Sequence, residues 1–236
     1  MIQFYVPEIA NNPILPESES QHCIRVLRMQ VGDEIEVIDG KGFRYRCRII
    51  DAHSKHALVD VLERKEVALS WSNNITIAVA PTKNMDRMEW MIEKLTEIGV
   101  NRFIPLLCRH SERKEIKPER LEKIAISAMK QSLKAVLPVI EPMAPLTNVV
   151  KYMTAEQRFI AYCDSTIPRL LLSKEYKANK DTIILIGPEG DFSPEEISST
   201  LDAGYTPISL GDNRLRTETA AIVACDTCHI INQLYI

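Results

Sequence analysis

"LIGPEGDFSPEEI", residues 185–197, joins three local instructions in one short stretch. The apolar run that leads into it, "TIILI", reads as a strand buried on both faces. Ser193-Pro194-Glu195-Glu196 reads as a capping box with proline at the first helical position. "GPEGDF" is therefore pinned between a strand's carboxyl end and a helix's amino end. In an open parallel sheet ligands bind at that edge. Gly187 and Gly190 are expected to supply unusual dihedrals and a close approach of backbone to a flat or charged ligand. No G-x-G-x-x-G and no P-loop lysine accompany them. Glu189 would repel a triphosphate, so a neutral or cationic ligand fits better.

The same alternation continues on either side. "ITIAVA" (75–80), "RFIPLLC" (102–108), "RFIAYC" (158–163) and "PISLG" (207–211) are further short apolar strands. Between them Met88, Met91, Ile92, Leu95 and Ile98 fall at helical spacing, as do Leu121, Ile124, Ala125 and Ala128 after Pro118. This predicts an α/β domain over residues 75–236, a parallel sheet covered on both faces. Earlier in the chain, "EIEVID", "FRYRCRIID" and "HALVDVLE" are short strands punctuated by "VGD" and "DGKG". With "IQFYV" they predict a small antiparallel β-barrel over residues 1–70. The polar "SWSNN", 70–74, is the expected connector.

A second strand-end loop follows in "ISLGDNRLRTETAAIV", 208–223. Leu210 and Gly211 end the strand, and Arg214, Arg216, Glu218 and Thr219 crowd the start of the last helix. Glu218 suits a helix amino end, and Thr217 or Thr219 can cap it. Arg216 opposes the helix dipole, so it either pairs with Glu218 or serves a ligand.

The chain has 236 residues, 45% hydrophobic and 26% charged, with a formal net charge of −3. That balance excludes disordered and collagen-like classes, and no apolar run is long enough to span a bilayer. The start, "MIQFYVPEIA", lacks signal-peptide features, and a cytoplasmic protein is expected. "CDTCH", 225–229, formally matches a haem-attachment pattern. Ala221, Cys225, Cys228 and Ile231, however, recur at helical spacing and predict a buried helix face. Cys23, Cys47, Cys108 and Cys163 are read as reduced core thiols, and no metal site is predicted. Strand alternation in "FRYRCR" places Arg44, Arg46 and Arg48 on one face. Such a row calls for a polyanion opposite unless Glu34, Glu36 or Asp60 compensates it. His22, Arg25 and Arg28 extend that surface. Residues 102–134 hold nine Lys/Arg against four Asp/Glu, and Lys83 lies on the predicted ligand side.

"IGPEGDFSPEE" together with "SLGDNRLRTETAA" resembles the paired signature of the SPOUT-type RNA methyltransferases, and within them the 16S rRNA uracil-N3 methyltransferase family. "HCIRVLRMQVGDEIEVIDGKG" (22–42) is similar to that family's PUA-like segment. "KNMDRMEWMIEKLTEIGVNRFIPL" (83–106) and "AMKQSLKAVLPVIEP" (128–142) resemble its internal motifs. The resemblance implies a parallel-sheet domain with a deep trefoil knot, a PUA-like RNA-binding β-barrel before it, and a homodimer. It implies S-adenosylmethionine in a pocket of Ile186, Gly187, Pro188, Glu189, Gly190, Leu210, Gly211, Leu215, Arg216, Thr219 and Ala220. The implied partner is 16S rRNA or the small ribosomal subunit, gripped by His22, Arg25, Arg28, Arg44, Arg46, Arg48 and Lys83. Three positions depart from the family pattern: Asp191 replaces a common glycine, Asn213 a frequent arginine, and Lys134 a common arginine.

Uracil N3 is protonated at neutral pH, so the implied reaction must stabilise an anion whose charge spreads onto O2 and O4. Arg216 is the candidate donor to those oxygens, Glu218 or Glu189 the proton acceptor, and Gln131 a contact to the uracil edge. Two other readings remain open from sequence. One is a methyltransferase of the same superfamily acting on a ribose 2′-hydroxyl or another RNA. The other is a non-catalytic RNA-binding protein of ribosome assembly.

Overall fold

The computed structural model describes residues 2–69, 71–163 and 168–235; Ser70 of the expected connector and the final Ile236 lie outside the described residues. The chain divides into two compact units, residues 1–70 with 126–137, and residues 71–125 with 138–236.

In the first unit the elements are β1 (Gln3–Tyr5), α1 (Glu17–Gln21), β2 (Glu34–Ile38), β3 (Phe43–Asp51) and β4 (Leu58–Glu66). They form one sheet in the order β1-β2-β3-β4. β2, β3 and β4 pair antiparallel, whereas β1 joins β2 in parallel. The expected all-antiparallel barrel is thus corrected to a mixed sheet. The long segment carrying α1 provides the crossover that a parallel pair requires. Strand alternation holds: Tyr45, Cys47 and Ile49 are buried with Phe4, Leu15 and Val37, while Arg46 and Arg48 are exposed. The "DGKG" turn closes on Asp39, whose Oδ1 accepts from the amides of Lys41 at 2.8 Å and Phe43 at 3.1 Å. Residues 126–137 add Met129 and Ala135 to a small core around Ile38.

The second unit contains β5 (Ile75–Val79), α2 (Met85–Ile98), β6 (Arg102–Leu107), α3 (Pro118–Gln131), β7 (Val139–Ile140), β8 (Ala144–Pro145), α4 (Leu146–Tyr152) and β9 (Gln157–Ala161). It continues through β10 (Leu170–Leu171), α5 (Leu172–Glu175), β11 (Thr182–Ile186), α6 (Pro194–Asp202), β12 (Thr206–Ser209) and α7 (Thr217–Leu234). Residues of α3 from Ile126 onward cluster with the first unit. The sheet order is β10-β12-β9-β11-β5-β6-β7, with β8 beside β6, and its pairs are parallel. Every residue of β5 and of β11 is buried, as their unbroken apolar runs require. β9 and β5 flank β11, so the loop after β11 opens at the centre of the sheet's carboxyl edge.

α7 turns Ala221, Cys225, Cys228 and Ile231 inward, and burial raises the Cys228 thiol pKa. Cys23, Cys47 and Cys108 are buried too, but Cys163 is exposed just after β9. The expectation of a core thiol fails there, because β9 ends at Ala161 and its last apolar residues form the loop.

Candidate functional site

The loops after β9, β11 and β12 and the first turn of α7 enclose a cleft of about 1040 Å³. In the β11 loop the Asp191 amide donates to the Pro188 carbonyl at 2.9 Å, closing a tight turn. Neither Gly187 nor Gly190 takes a positive φ; Asp191 does, at 63°. The glycines supply room instead. A Cβ on Gly187 would lie 3.0 Å from the Phe192 ring, and one on Gly190 would lie 3.2 Å from His110 Cβ. The left-handed position explains the resemblance's preference for glycine where this chain has aspartate.

Asp191 compensates through its side chain. Its Oδ2 accepts from the Cys163 amide at 2.8 Å and its Oδ1 from the Phe192 amide at 2.9 Å. Its carbonyl lies 3.0 Å from His110 Nδ1. One residue therefore ties together the loops after β6, β9 and β11. The predicted capping box is present, with the Glu196 amide on Ser193 Oγ at 3.2 Å and the Ser193 amide on Glu196 Oε2 at 2.8 Å. Glu196 Oε1 also accepts from the Arg109 amide at 2.8 Å.

On the opposite side, Gly211 has φ 120° with open space where a Cβ would point, so conformation alone requires glycine there. Arg216 occupies the N-cap of α7, and no side chain caps that helix. The expected threonine cap is not formed because Thr217 is buried and turned toward the other loop, where its Oγ1 donates to the Gly187 carbonyl at 3.2 Å. This hydrogen bond joins the two loops directly. Glu218 is buried, and its carboxylate lies 3.8 Å from Arg87 Nη1 instead of pairing with Arg216. Arg216 is exposed; its carbonyl accepts from the Ala220 amide at 2.8 Å, but no ion pair or hydrogen bond of its side chain is found among the described residues.

Ile186, Gly187, Pro188, Glu189, Gly190, Leu210, Gly211, Leu215, Arg216, Glu218 and Ala220 all line the cleft, and Thr219 does not. The wall also includes Arg87, Tyr162, Cys163, Arg169, Asp212 and Thr217, which sequence reasoning missed. Arg169 donates to the Tyr162 carbonyl. The available signal was β9's position as a strand whose carboxyl end also opens at this edge. Glu189, Asp191, Asp212 and Glu218 place carboxylates in the wall, Arg87, Arg169, Arg214 and Arg216 place guanidiniums there, and the backbone of three loops adds further polar groups. The carboxylates and loop backbone suit a ligand with a positive centre and a flat heterocycle, and the guanidiniums suit negative charge beside it.

Gln131 ends α3 in the first unit and is exposed. Leu133 follows at φ 56°, and the Lys134 amide returns to the Met129 carbonyl at 3.0 Å. The β3 arginines are already matched. Arg44 lies 3.2 Å from Glu36, Arg46 3.3 Å from both Glu34 and Glu63, and Arg48 3.0 Å from Glu34. The argument that this row demands a polyanion is corrected accordingly: adjacent strands already supply the carboxylates. His22 and Arg25 lie on a π-helical turn after α1, Arg25 donating to Ser54 Oγ at 3.2 Å; Arg28 lies just beyond that turn at φ 58°. Lys83 follows β5, 3.3 Å from Glu112.

With this geometry in view, the sequence model of the RNA methyltransferase domain matches residues 70–229, and that of the RNA methyltransferase PUA domain matches residues 15–62. A ribosomal RNA small subunit methyltransferase E from Buchnera aphidicola is 31% identical over 214 residues, 87% of this chain and 83% of that protein. This chain belongs to that RNA methyltransferase family. Its architecture is accordingly a PUA-like unit followed by a parallel-sheet methyltransferase domain. Among solved structures, one described as a probable rRNA-methyltransferase from Porphyromonas gingivalis superposes with a TM-score of 0.95 at 48% identity, covering 100% of both chains. A ribosomal RNA small subunit methyltransferase E from Neisseria gonorrhoeae bound to S-adenosyl methionine superposes with a TM-score of 0.83 at 26% identity, covering 95% of both.

Proposed function

We propose that this chain methylates N3 of a uridine in small-subunit ribosomal RNA, with S-adenosylmethionine as donor. The observation that carries the reading is the joined pair of loops: the Thr217–Gly187 hydrogen bond at 3.2 Å closes one cleft beneath an unpaired Arg216. The relatives' names and the donor bound to the Neisseria protein support it. S-adenosylmethionine, when bound, supplies an electrophilic methyl group on a positively charged sulfur. Ile186–Gly190, Leu210, Gly211 and Leu215 would hold it through backbone groups, and the carboxylates of Glu189 and Asp212 would favour its charge.

The chain's own side chains handle the acceptor. Arg216 faces the charge that develops on uracil O2 or O4 as the N3 proton leaves, a donor pre-placed where negative charge appears. Of the two carboxylates suggested by sequence, Glu218 is held by Arg87, so Glu189 is the better proton acceptor. Fixing the acceptor base in one orientation in the cleft would supply much of the remaining rate. Gln131 is assigned to the uracil edge, and His22, Arg25, Arg28 and Lys83 to the surrounding RNA, which must be gripped while the base is unstacked. α7 leaves Ile230 at 51% exposure and Leu234 at 75%, which supports burial of this helix against a second copy. The crossing from β11 to β12 beyond β9, followed by the return of α7 onto α2 and β5, supports a knotted path.

The test has two parts. Calorimetry with S-adenosylhomocysteine should show saturable heat; none would end the reading. Undermodified small ribosomal subunits, incubated with labelled donor, should then yield 3-methyluridine on nucleoside analysis. Recovery of a 2′-O-methyl nucleoside would instead establish the ribose reading.

A further inference from the structure

A second depression lies on the same carboxyl edge and differs in chemistry. The loops after β5 and β6 and the first turn of α3 enclose about 770 Å³, bounded by Lys83, Met85, residues 112–117 and Arg120. Five cations there (Lys83, Arg113, Lys114, Lys117, Arg120) meet two carboxylates (Glu112, Glu115). Lys83 lies 3.3 Å from Glu112, and Arg120 pairs with Glu89 of α2. Arg113, Lys114 and Lys117 have no ion pair among the described residues. Lys114 and Lys117 are exposed. Arg113 is half-buried and held by donation from Nη2 to the Lys83 carbonyl at 2.8 Å, while its buried Nε lacks an acceptor.

A guanidinium edge shielded from water without an acceptor is costly, and an incoming oxyanion would satisfy it. The loop that presents it is anchored at its start. The Cys108 amide donates to Ser111 Oγ at 3.0 Å, and the Arg109 amide to Glu196 at 2.8 Å. Three unmatched cations spread over five residues, on an anchored loop around an open depression, suit a string of phosphates better than a single carboxylate. Their place in the sheet adds to this. β5 adjoins β11 and β6 adjoins β5, so this cleft borders the one built on the β11 loop.

We propose that the Arg113–Lys117 loop grips phosphodiesters flanking the target nucleotide while its base enters the neighbouring cleft. The inference rests on the RNA-methyltransferase reading and names where, within the second unit, the substrate backbone is held. Phosphate contacts of this kind fix register and orientation, and base contacts supply selection.

The experiment compares the full-length wild type with Lys114→Gln/Lys117→Gln and with Arg113→Lys. A labelled small-subunit rRNA transcript is titrated by filter binding across a salt series, and S-adenosylhomocysteine calorimetry checks the integrity of each variant. The double variant should bind RNA about tenfold more weakly, with a salt slope shallower by roughly one unit, while its calorimetric heat is unchanged. Arg113→Lys, which keeps the charge but loses the Nε donor, should lose about threefold. An unchanged affinity and slope in the double variant, with wild type binding normally, overturns this inference and leaves the methyltransferase reading intact. A wild type that binds neither RNA nor the cofactor product overturns both. If inorganic phosphate competes as strongly as an equal concentration of RNA phosphates, the cleft is a free-anion site and the inference fails.

Discussion

Two sets of positive side chains in this molecule look alike in the sequence and differ in the structure. Arg44, Arg46 and Arg48 project from one strand, and each lies within 3.3 Å of a glutamate on a neighbouring strand. Arg216, Arg113, Lys114 and Lys117 stand on loops at the carboxyl edge of the parallel sheet and have no such partner among the described residues. The strand arginines sit in a ladder whose register sets Arg48 opposite Glu34 and Asp60, and Arg46 opposite Glu36 and Glu63. The edge cations sit on loops whose hydrogen bonds are spent on fixing backbone. A high count of basic residues therefore says little about nucleic-acid binding; unmatched charge on a fixed loop says more.

The largest effect should come from Arg216→Ala. We expect methyl transfer to fall about a hundredfold, the scale for removing one donor to a developing oxyanion. Single-turnover assays with labelled donor measure it. The matching change on the ladder, Arg46→Gln, should leave the rate within about twofold, since its charge is already met at the surface. Equal losses would erase the distinction between the two sets. A smaller change in the opposite sense is expected from Glu34→Gln/Glu63→Gln. Removing these carboxylates uncovers Arg46 and Arg48, and RNA affinity at low salt should rise about threefold, with a steeper salt slope. No gain would mean that the ladder faces away from any bound RNA.

Acid should reproduce part of that change. Chiefly through its hydrogen bond from Arg48, and further through Arg46, Glu34 is held below the usual carboxylate range. A depressed folded-state pKa contributes stability that is present above the unfolded value and lost as pH falls through the folded one. Wild-type thermal stability should accordingly decline on acidification, and Glu34→Gln should lack that share of the decline. Parallel profiles for the two proteins would show that the pairing contributes nothing.

Much of the second unit was legible because its signals are local. "TIILI" needs burial on both faces, and "SPEE" closes its own helix cap within four residues. The alternation of short apolar runs with helical spacing gave the parallel sheet. The first unit was read less completely. A parallel partner for β2 leaves no trace in alternation, since period-two patterning is the same for either direction. The docking of residues 126–137 depends on Met129 and Ala135, ordinary members of a helix and its exit. In the cleft, the glycine loops and Arg216 stood out. Thr217 and Asp191 did not, because threonine before a helix suggests a cap and aspartate in a turn suggests solvent.

By itself the sequence determined which segments are buried strands, where the glycine bends fall, and which family signature they carry. These follow from steric and solvation preferences acting within a few residues. Only the tertiary structure decided which charges are cancelled, that Thr217 fastens one bend to the other, and that Asp191 holds three loops at once. The ties at Asp191 and Thr217 depend on distances between residues 28 to 81 positions apart in the chain, and the cancelled charges on the register between neighbouring strands; no local preference encodes either.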